Sequence, residues 1–325
     1  MTEEKQMTTP AQGLHGHAPP KLELRGVSKR FETARGIAGV QALQDIHLAV
    51  ACGEIYALVG PSGCGKTTLL NIVAGFERPT EGEVRVDGVP VEGPGPDRGV
   101  VFQEHALFPW LSALDNVRFG PAVRRRPDLL ERCGEYLSLV GLQGFERHYP
   151  AQLSGGMRQR VALARVLANA PAVLLMDEPF GALDAQTRAQ MHQLLLDIWH
   201  RLSPTILFVT HDVDEAIYLA DRVGVMSARP GRIIAELAVG LPRPRTPDAL
   251  LGPGFLELKT RLLALLRSAS RPEPAAGHPA PEPPHREPEA APAVEAPHGR
   301  GQVPWRTGPG RVAGPDPAAE GGGVE

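Results

Sequence analysis

One glycine-rich stretch constrains the fold of this chain more than any other feature. An apolar run at residues 55–59 precedes it, and a helical pattern follows it at residues 69–74. The stretch reads Gly60-Pro61-Ser62-Gly63-Cys64-Gly65-Lys66-Thr67-Thr68. A buried strand, a turn with little side-chain bulk and a helix in this order predict a loop that binds phosphate, because glycines let successive backbone N–H groups point inward. The alternative is a glycine-rich strand-to-helix turn that carries a lysine by chance.

The residue types in this loop suit a nucleoside triphosphate with its Mg²⁺ ion. Lys66 places a positive charge where β- and γ-phosphates would lie, and the Thr67 hydroxyl is a potential Mg²⁺ ligand. The helix that begins near Lys66 adds the partial positive charge of its amino terminus. The loop alone leaves several classes of nucleotide-dependent enzyme open.

The composition of the chain argues against several classes of partner and binding site. The chain has 325 residues and a formal charge of −3, so nothing in its overall charge favours nucleic acid as a partner. Its three cysteines form no C-x-x-C pair, which argues against a zinc site or a disulfide framework. No apolar run reaches the roughly 18–20 residues that span a bilayer, and the first residues lack the apolar core of a signal peptide. We therefore expect a soluble protein whose membrane role, if any, depends on a partner.

Strands alternate with helices along most of the chain, which predicts an α/β fold with a parallel sheet. Continuous apolar runs predict buried strands at residues 55–59, 171–176 and 205–210. Residues 104–150 are mostly helical in pattern, with interruptions at Pro109, Gly120-Pro121, Gly141 and Pro150. Further elements are predicted as a hairpin at residues 83–88 and helices at 158–168, 185–202, 212–220 and 255–268. Residues 1–20, and residues 271–325 with their Pro, Ala, Gly and Glu bias, are expected to be disordered.

Two carboxylates and a histidine follow the later strands. Asp177 and Glu178 come at the end of one buried strand, where side chains of open α/β sheets face the ligand crevice. Such an aspartate can hold Mg²⁺, and the adjacent glutamate can orient or deprotonate water. A charged pair that only caps the strand is the alternative. His211 ends the next strand, where it could contact a γ-phosphate or serve a purely structural purpose.

Other candidates are weaker when taken singly. Gln103 follows a short apolar strand and could touch Mg²⁺ or water, or merely cap a loop. Phe31 could stack on adenine or belong to the core. Ser154-Gly155-Gly156 at a helix start offers N–H groups and a hydroxyl to an anion, or forms an ordinary helix cap. A chain with one phosphate loop has little use for a second anion site on its own nucleotide, which points to a nucleotide held by another copy.

Taken together and in order, these motifs resemble the ATPase subunits of ABC transporters over residues 21–245. The resemblance rests on the phosphate loop, Gln103, and then Leu153-Ser154-Gly155-Gly156-Met157, Leu174-Leu175-Met176-Asp177-Glu178-Pro179, Gly181-Ala182-Leu183-Asp184 and His211. It implies a RecA-like P-loop core with an antiparallel β subdomain and an inserted α-helical subdomain at about residues 104–158. A helical extension at residues 246–270 and the disordered tail would follow.

The resemblance also implies roles for these residues. Residues 60–68, Phe31, Ser154, Gly155, Gly156 and Asp184 would bind ATP. Thr67, Gln103 and Asp177 would hold Mg²⁺. Glu178 would be the catalytic base, with His211 and Gln103 assisting. Met157 departs from the glutamine that usually follows L-S-G-G, but it leaves Ser154 and the backbone donors unchanged.

A closer likeness is to the nitrate, sulfonate and taurine importers, and within them most of all to the taurine ATPases. It rests on residues 92–103, on Leu107-Phe108-Pro109-Trp110 and on Pro179-Phe180-Gly181-Ala182-Leu183-Asp184. It implies a head-to-tail dimer that sandwiches ATP, membrane permease subunits, a periplasmic solute-binding protein and a place on the cytoplasmic face of the membrane. Residues 107–110 would meet the permease, or form ordinary core. An ABC ATPase without membrane partners and an inactive regulatory subunit are the rival hypotheses.

Overall fold

The computed structural model describes residues 19–32, 39–104 and 106–270. The disorder predicted for residues 1–20 and 271–325 concerns segments that lie outside this description, apart from residues 19 and 20. No helix within the described residues is long and apolar enough to cross a membrane.

The strands described are, in chain order, β1 (Leu22–Phe31), β2 (Val40–Val50), β3 (Ile55–Val59), β4 (Glu81–Val86), β5 (Val89–Pro90), β6 (Arg98–Val101), β7 (Val173–Asp177), β8 (Thr205–Val209), β9 (Arg222–Met226) and β10 (Ile233–Ala238). The helices are α1 (Lys66–Ala74), α2 (Ala113–Val123), α3 (Pro127–Glu131), α4 (Cys133–Leu139), α5 (Gly155–Leu167), α6 (Ala185–Leu202), α7 (Val213–Leu219) and α8 (Pro253–Ala269). Short 3-10 turns lie at Pro150–Gln152 and Pro247–Leu251.

These strands form two sheets. The first is antiparallel, with the order β2-β1-β4-β5. The second has the order β10-β9-β3-β8-β7-β6 and is parallel except for β10. The predicted α/β fold is therefore confirmed, and the predicted parallel strands lie side by side at its centre.

The centre of the parallel sheet is apolar on both faces. Every residue of β3 and β8 is buried, as are the first four residues of β7. Helices and the first sheet cover the two faces, which explains why these strands read as continuous apolar runs. Each fully buried Leu, Ile or Val contributes about 1.5–3 kcal/mol relative to an exposed position. The strand positions, and with them the loops that follow, are thus firmly fixed.

The region between β6 and β7 is less helical than its sequence pattern predicts. Its first helix, α2, begins only after Ser112, whose hydroxyl accepts a hydrogen bond from Asp115 N. The chain ahead of α2 is held by the buried side chain of Asn116. Its Oδ1 accepts a hydrogen bond from Phe108 N at 2.9 Å, and its Nδ2 donates to Phe108 O and Leu111 O. These bonds replace helical ones, so residues 107–111 form an ordered loop.

The interruption predicted at Gly120-Pro121 is wrong in position. Helix α2 continues through Pro121 and ends at Val123. Gly120 lies directly against Asn169, with no room for a side chain between them. This packing of α2 on the chain that follows α5 stabilises the helix past its proline.

Candidate active site

The sheet order brings the ends of three central strands to one place. Leu58 of β3 pairs with Val209 of β8, and Val209 pairs in turn with Asp177 of β7. Because the three strands are parallel, the phosphate loop, the Asp177-Glu178 pair and His211 all follow them at the same edge. We call the carboxyl ends of β3, β7 and β8, with the loops that follow, the nucleotide edge.

The phosphate loop has the backbone that its glycines predict. Gly63 and Gly65 have φ angles of 74° and 104°, in the left-handed region. A Cβ on Gly65 would lie 2.7 Å from Leu43 Cδ2 and 3.1 Å from Ala42 O. Gly65 is also the residue from which α1 starts. The loop is therefore a cradle of backbone amides at a helix amino terminus, which fits an anionic phosphate group.

Lys66 is buried, with 7% of its surface exposed. Its Nζ donates hydrogen bonds to Gly60 O at 2.8 Å and Pro61 O at 3.0 Å. The ammonium group therefore cross-links the loop that surrounds it. Burial raises the pKa of the neighbouring Cys64 thiol, which keeps that side chain neutral beneath the loop.

A cavity of about 450 Å³ opens above the loop. Its walls include eight of the residues predicted to bind nucleotide or to act in catalysis: Phe31, Ser62, Gly63, Gly65, Lys66, Thr67, Thr68 and Glu178. The ring of Phe31 forms part of the rim, with Lys29 Nζ 5.0 Å from its centre. Gly60, Pro61 and Cys64 complete the loop without lining this cavity.

Three wall residues were not among the sequence candidates: Val40, Ala42 and Arg229. Arg229 is the chemically important one, because it adds a second cation, and its Nη2 donates to Gly63 O at 3.2 Å. Arg229 lies in the turn between β9 and β10, far from the loop in sequence. Only the pairing of β9 with β3 places it here, so no local pattern could have identified it.

Thr67 and Asp177 form an oxygen pair at the foot of the cavity. Thr67 Oγ1 lies 3.3 Å from Asp177 Oδ1. Burial raises the pKa of the Asp177 carboxyl, an effect that the bond from Thr67 partly offsets. A hydroxyl and a carboxylate are hard oxygen donors, so this pair fits Mg²⁺.

Glu178 and His211 meet directly. His211 Nδ1 lies 3.1 Å from Glu178 Oε2, and the histidine is the more exposed partner. Glu178 has a φ of 44°, which is unusual for a residue with a side chain and is a form of backbone strain often found at functional sites. A Cβ on Gly181 would lie 3.8 Å from Glu178 Oε2 and 3.9 Å from Gln103 Nε2, so Gln103 also reaches this corner.

The remaining candidates lie away from the cavity. Ser154 caps α5, as predicted, because its hydroxyl accepts a hydrogen bond from Met157 N at 3.2 Å. Asp184 caps α6 in the same way, since its carboxylate accepts a hydrogen bond from Thr187 N at 3.0 Å. Gly156 packs closely on Thr187, so the two capped helix starts are neighbours. The bonds from the backbone lower the pKa of Asp184. None of these residues lines the cavity above the phosphate loop of the same chain.

Comparison with known proteins gives one consistent result. The sequence model of the ABC transporter family matches residues 43–181. An uncharacterized ABC transporter ATP-binding protein of Methanocaldococcus jannaschii is 50% identical over 249 residues, which are 76% of this chain and 91% of that protein. The nitrate import ATP-binding protein NrtD of Synechocystis sp. is 47% identical over 254 residues (76% and 95%). The taurine import ATP-binding protein TauB of Jannaschia sp. is 52% identical over 217 residues (66% and 81%).

Solved structures agree with the sequence relatives. The dimeric structure of MJ0796, described as a bacterial ABC transporter cassette, superposes with a TM-score of 0.58 at 34% identity. A dimeric post-hydrolysis state of the same cassette, bound to ADP and Pi, superposes with a TM-score of 0.57 at 33% identity. Each match covers 67% of this chain and 98% of the cassette.

Proposed function

This chain belongs to the ABC transporter family of ATP-binding proteins, and we propose that it powers the import of a small anion or sulfonate, with taurine as the first candidate. As a member of this family it is an ATPase coupled to transport. The observation that carries the proposal is the meeting of three features at the nucleotide edge. These are the phosphate loop with its buried Lys66, the Thr67–Asp177 oxygen pair and the Glu178–His211 contact.

Different residues of the cavity are proposed to bind different parts of ATP and its Mg²⁺ ion. Lys66 and the loop amides of residues 60–68 would bind the β- and γ-phosphates, and Phe31 at the rim would stack on the adenine. Thr67 and Asp177, with Gln103 as the third predicted ligand, would hold Mg²⁺. Bound there, Mg²⁺ supplies charge neutralisation for the β- and γ-phosphates.

Glu178 is the proposed base for hydrolysis. Its carboxylate would accept a proton from the attacking water, and His211 would hold that carboxylate through the Nδ1–Oε2 contact. Glu178 lines the cavity, and its strained backbone follows β7 directly. General-base groups contribute about 10²- to 10⁴-fold to a rate, so a Glu178→Gln variant is expected to bind ATP and lose turnover.

Two copies are proposed to complete each site. Ser154, Gly155 and Gly156 present backbone donors at a helix start but lie outside the cavity of their own chain. A second chain packed head to tail would bring them to the γ-phosphate, with Asp184 beside them. ATP would then hold the closed dimer together, and hydrolysis would reopen it, as a ligand-biased equilibrium between two states.

An aromatic surface that follows Gln103 in the sequence is the proposed contact for the permease subunits. Phe108 packs on Trp110 and Phe119, with ring centres 5.6 and 4.4 Å apart, while 70% of the Trp110 surface is exposed. Phe108, Phe119 and Arg165 border a groove of about 410 Å³. Exposed apolar patches of this kind mark protein interfaces, which favours the interface over the core interpretation. The chain would therefore lie at the cytoplasmic face of the membrane, with a periplasmic solute-binding protein as a further component.

The test begins with the purified full chain. We expect ATP hydrolysis that depends on Mg²⁺, and a fall of about 10²-fold or more in Glu178→Gln with ATP affinity kept. Glu131→Gln, which changes an exposed carboxylate on α3, is the matched control. An unchanged rate in Glu178→Gln would remove the assigned base.

The solute is tested in cells. Deletion of the subunit is expected to abolish growth on taurine as the sole sulfur source, and the growth is expected to return with the intact gene. Loss of growth on other sulfonates or on nitrate instead would move the assignment to those solutes. Co-purification with a permease supports the transport role, whereas a soluble ribosome-bound pool contradicts it.

A further inference from the structure

We propose that His192 and Glu215 are positioning residues, which hold Glu178 and His211 against each other for hydrolysis. The inference rests on the proposed function of Glu178 as the base. It concerns two residues behind the nucleotide edge that have no direct access to the cavity. His192 lies on α6 and Glu215 lies on α7.

The two side chains form a buried polar pair. His192 Nε2 lies 2.9 Å from Glu215 Oε1, with only 13% and 5% of the respective side chains exposed. Burying a carboxylate is costly unless a partner satisfies it, so the pair fixes α6 and α7 relative to each other. An apolar pair would fill the same space without fixing this geometry so tightly.

On one side, His192 supports the loop that carries Glu178. Its ring meets Phe180 edge to face, with centres 5.1 Å apart and planes at 71°. Phe180 is fully buried and lies two residues after Glu178. Gln159 on α5, also buried, donates to Pro179 O at 2.8 Å. The residues directly after Glu178 are therefore clamped between α5 and α6.

On the other side, Glu215 supports the loop that carries His211. Its backbone N–H donates to Asp212 Oδ1 at 3.2 Å, and Asp214 N donates to the same oxygen at 2.8 Å. Asp212 thereby caps α7 directly after His211. A shift of α7 would carry His211 with it.

These contacts close a circuit. It runs from Glu178 to Phe180 along the chain, to His192 and Glu215 through space, and back through the α7 cap to His211, which meets Glu178. Backbone bonds fix the chain just past the strand ends, because Glu178 N donates to Val209 O at 2.9 Å and Thr210 N donates to Leu58 O at 3.2 Å. Beyond those bonds, the buried His192–Glu215 pair ties α6, where His192 packs on Phe180, to α7, which follows His211. A displacement of about 1 Å at reacting groups can lower a rate by about 10²-fold, so this link is placed where it affects turnover.

The test removes the link without leaving a charge unpartnered. The double variant His192→Leu/Glu215→Leu replaces both partners with apolar side chains, a change that is often neutral for stability. Phe180→Leu removes the ring contact between residue 180 and His192 but keeps the His192–Glu215 pair. His192→Gln keeps a donor for Glu215. The matched control is His200→Leu, on the same helix α6 but beside Trp199 at its far end.

The readout is kcat against KM for ATP, with thermal unfolding on the same samples. For the double variant and for Phe180→Leu we expect kcat to fall by about 10- to 100-fold, with KM for ATP within about twofold of the parent chain. His192→Gln should keep most of the rate, and His200→Leu all of it. A folded double variant or Phe180→Leu variant with parental kcat overturns the inference, as does a rise in KM that accounts for the whole loss. Failure of Glu178→Gln to lower the rate would instead remove Glu178 as the proposed base, on which the inference rests.

Discussion

Replacing Gly231 with alanine tests how closely the turn between β9 and β10 is packed on the phosphate loop. The added Cβ would overlap the Cys64 carbonyl oxygen and lie 2.6 Å from Met226 Cε. The methionine can move, but the carbonyl is loop backbone. The turn cannot retreat easily, because Gly231 N donates to Ala42 O and Gln44 N donates to Gly231 O, both at 2.9 Å. We therefore expect the phosphate loop to give way.

The size of the effect follows from the cost of overpacking. Forcing an extra methyl group into a packed site costs about 1–3 kcal/mol. If the loop moves, this free energy appears in nucleotide affinity as a Kd for ADP that is roughly 5- to 150-fold weaker. Any part that the loop does not absorb lowers the Tm, by about 2–4 °C per kcal/mol in a domain of this size.

Titration calorimetry with ADP and thermal unfolding measure both parts. The matched control is Gly134→Ala on α4, where an added Cβ meets nothing within 4 Å. That control is expected to keep its affinity for ADP and to gain stability, because alanine is favoured over glycine in a helix by about 0.5–1 kcal/mol. A Gly231→Ala protein with the parental affinity and the parental Tm would refute the reasoning.

Three further substitutions test other parts of the site. Burial raises the pKa of the Asp177 carboxyl, so its ionised form destabilises the fold at neutral pH. In Mg²⁺-free buffer, Asp177→Asn is expected to raise the Tm there, by an amount that shrinks as the pH falls through the raised pKa; a constant difference would argue against this cause. Arg229→Ala is expected to weaken ADP binding about 2- to 5-fold at low salt and less at high salt, whereas Arg229→Lys keeps the charge and most of the affinity. Asn116→Ala removes the side-chain partner of Phe108 N and Leu111 O and is expected to cost about 1–3 kcal/mol in thermal unfolding; an unchanged Tm would contradict the role given to its amide.

Local patterns predicted the central elements well. The bounds of β3 and α6 agree with the sequence prediction residue for residue. In β3 a continuous apolar run has turn residues on both sides, and in α6 a capping Asp184 and the left-handed Ser203 mark the two ends. Residues 107–111 were harder to predict, because their conformation depends on a single buried side chain, Asn116, that follows them in sequence.

Some residues of the candidate site can be predicted from local sequence patterns, and others cannot. The phosphate loop and the positions of Asp177 and Glu178 follow from short contiguous patterns, because strand, turn and helix are neighbours in the chain. No short contiguous pattern marks Arg229 or His192 as part of the site, although His192 lies on a helix that the sequence predicts. Their positions depend on sheet order in one case and on the packing of α6 against α7 in the other, which only the three-dimensional fold determines.

Helix α6 also gives the molecule a stiff connection between two of its ends. It begins at Ala185, directly after its cap Asp184, and is about 27 Å long at 1.5 Å per residue. Near its other end, Trp199 Nε1 donates to Gly53 O at 2.7 Å, just ahead of β3, and the Arg243 guanidinium lies 4.0 Å from the ring centre. A displacement of Asp184 is therefore expected to reach the indole of Trp199, which lies between a backbone carbonyl and a guanidinium group. The fluorescence of Trp199 would therefore report on the amino ends of the parallel strands, opposite the nucleotide edge.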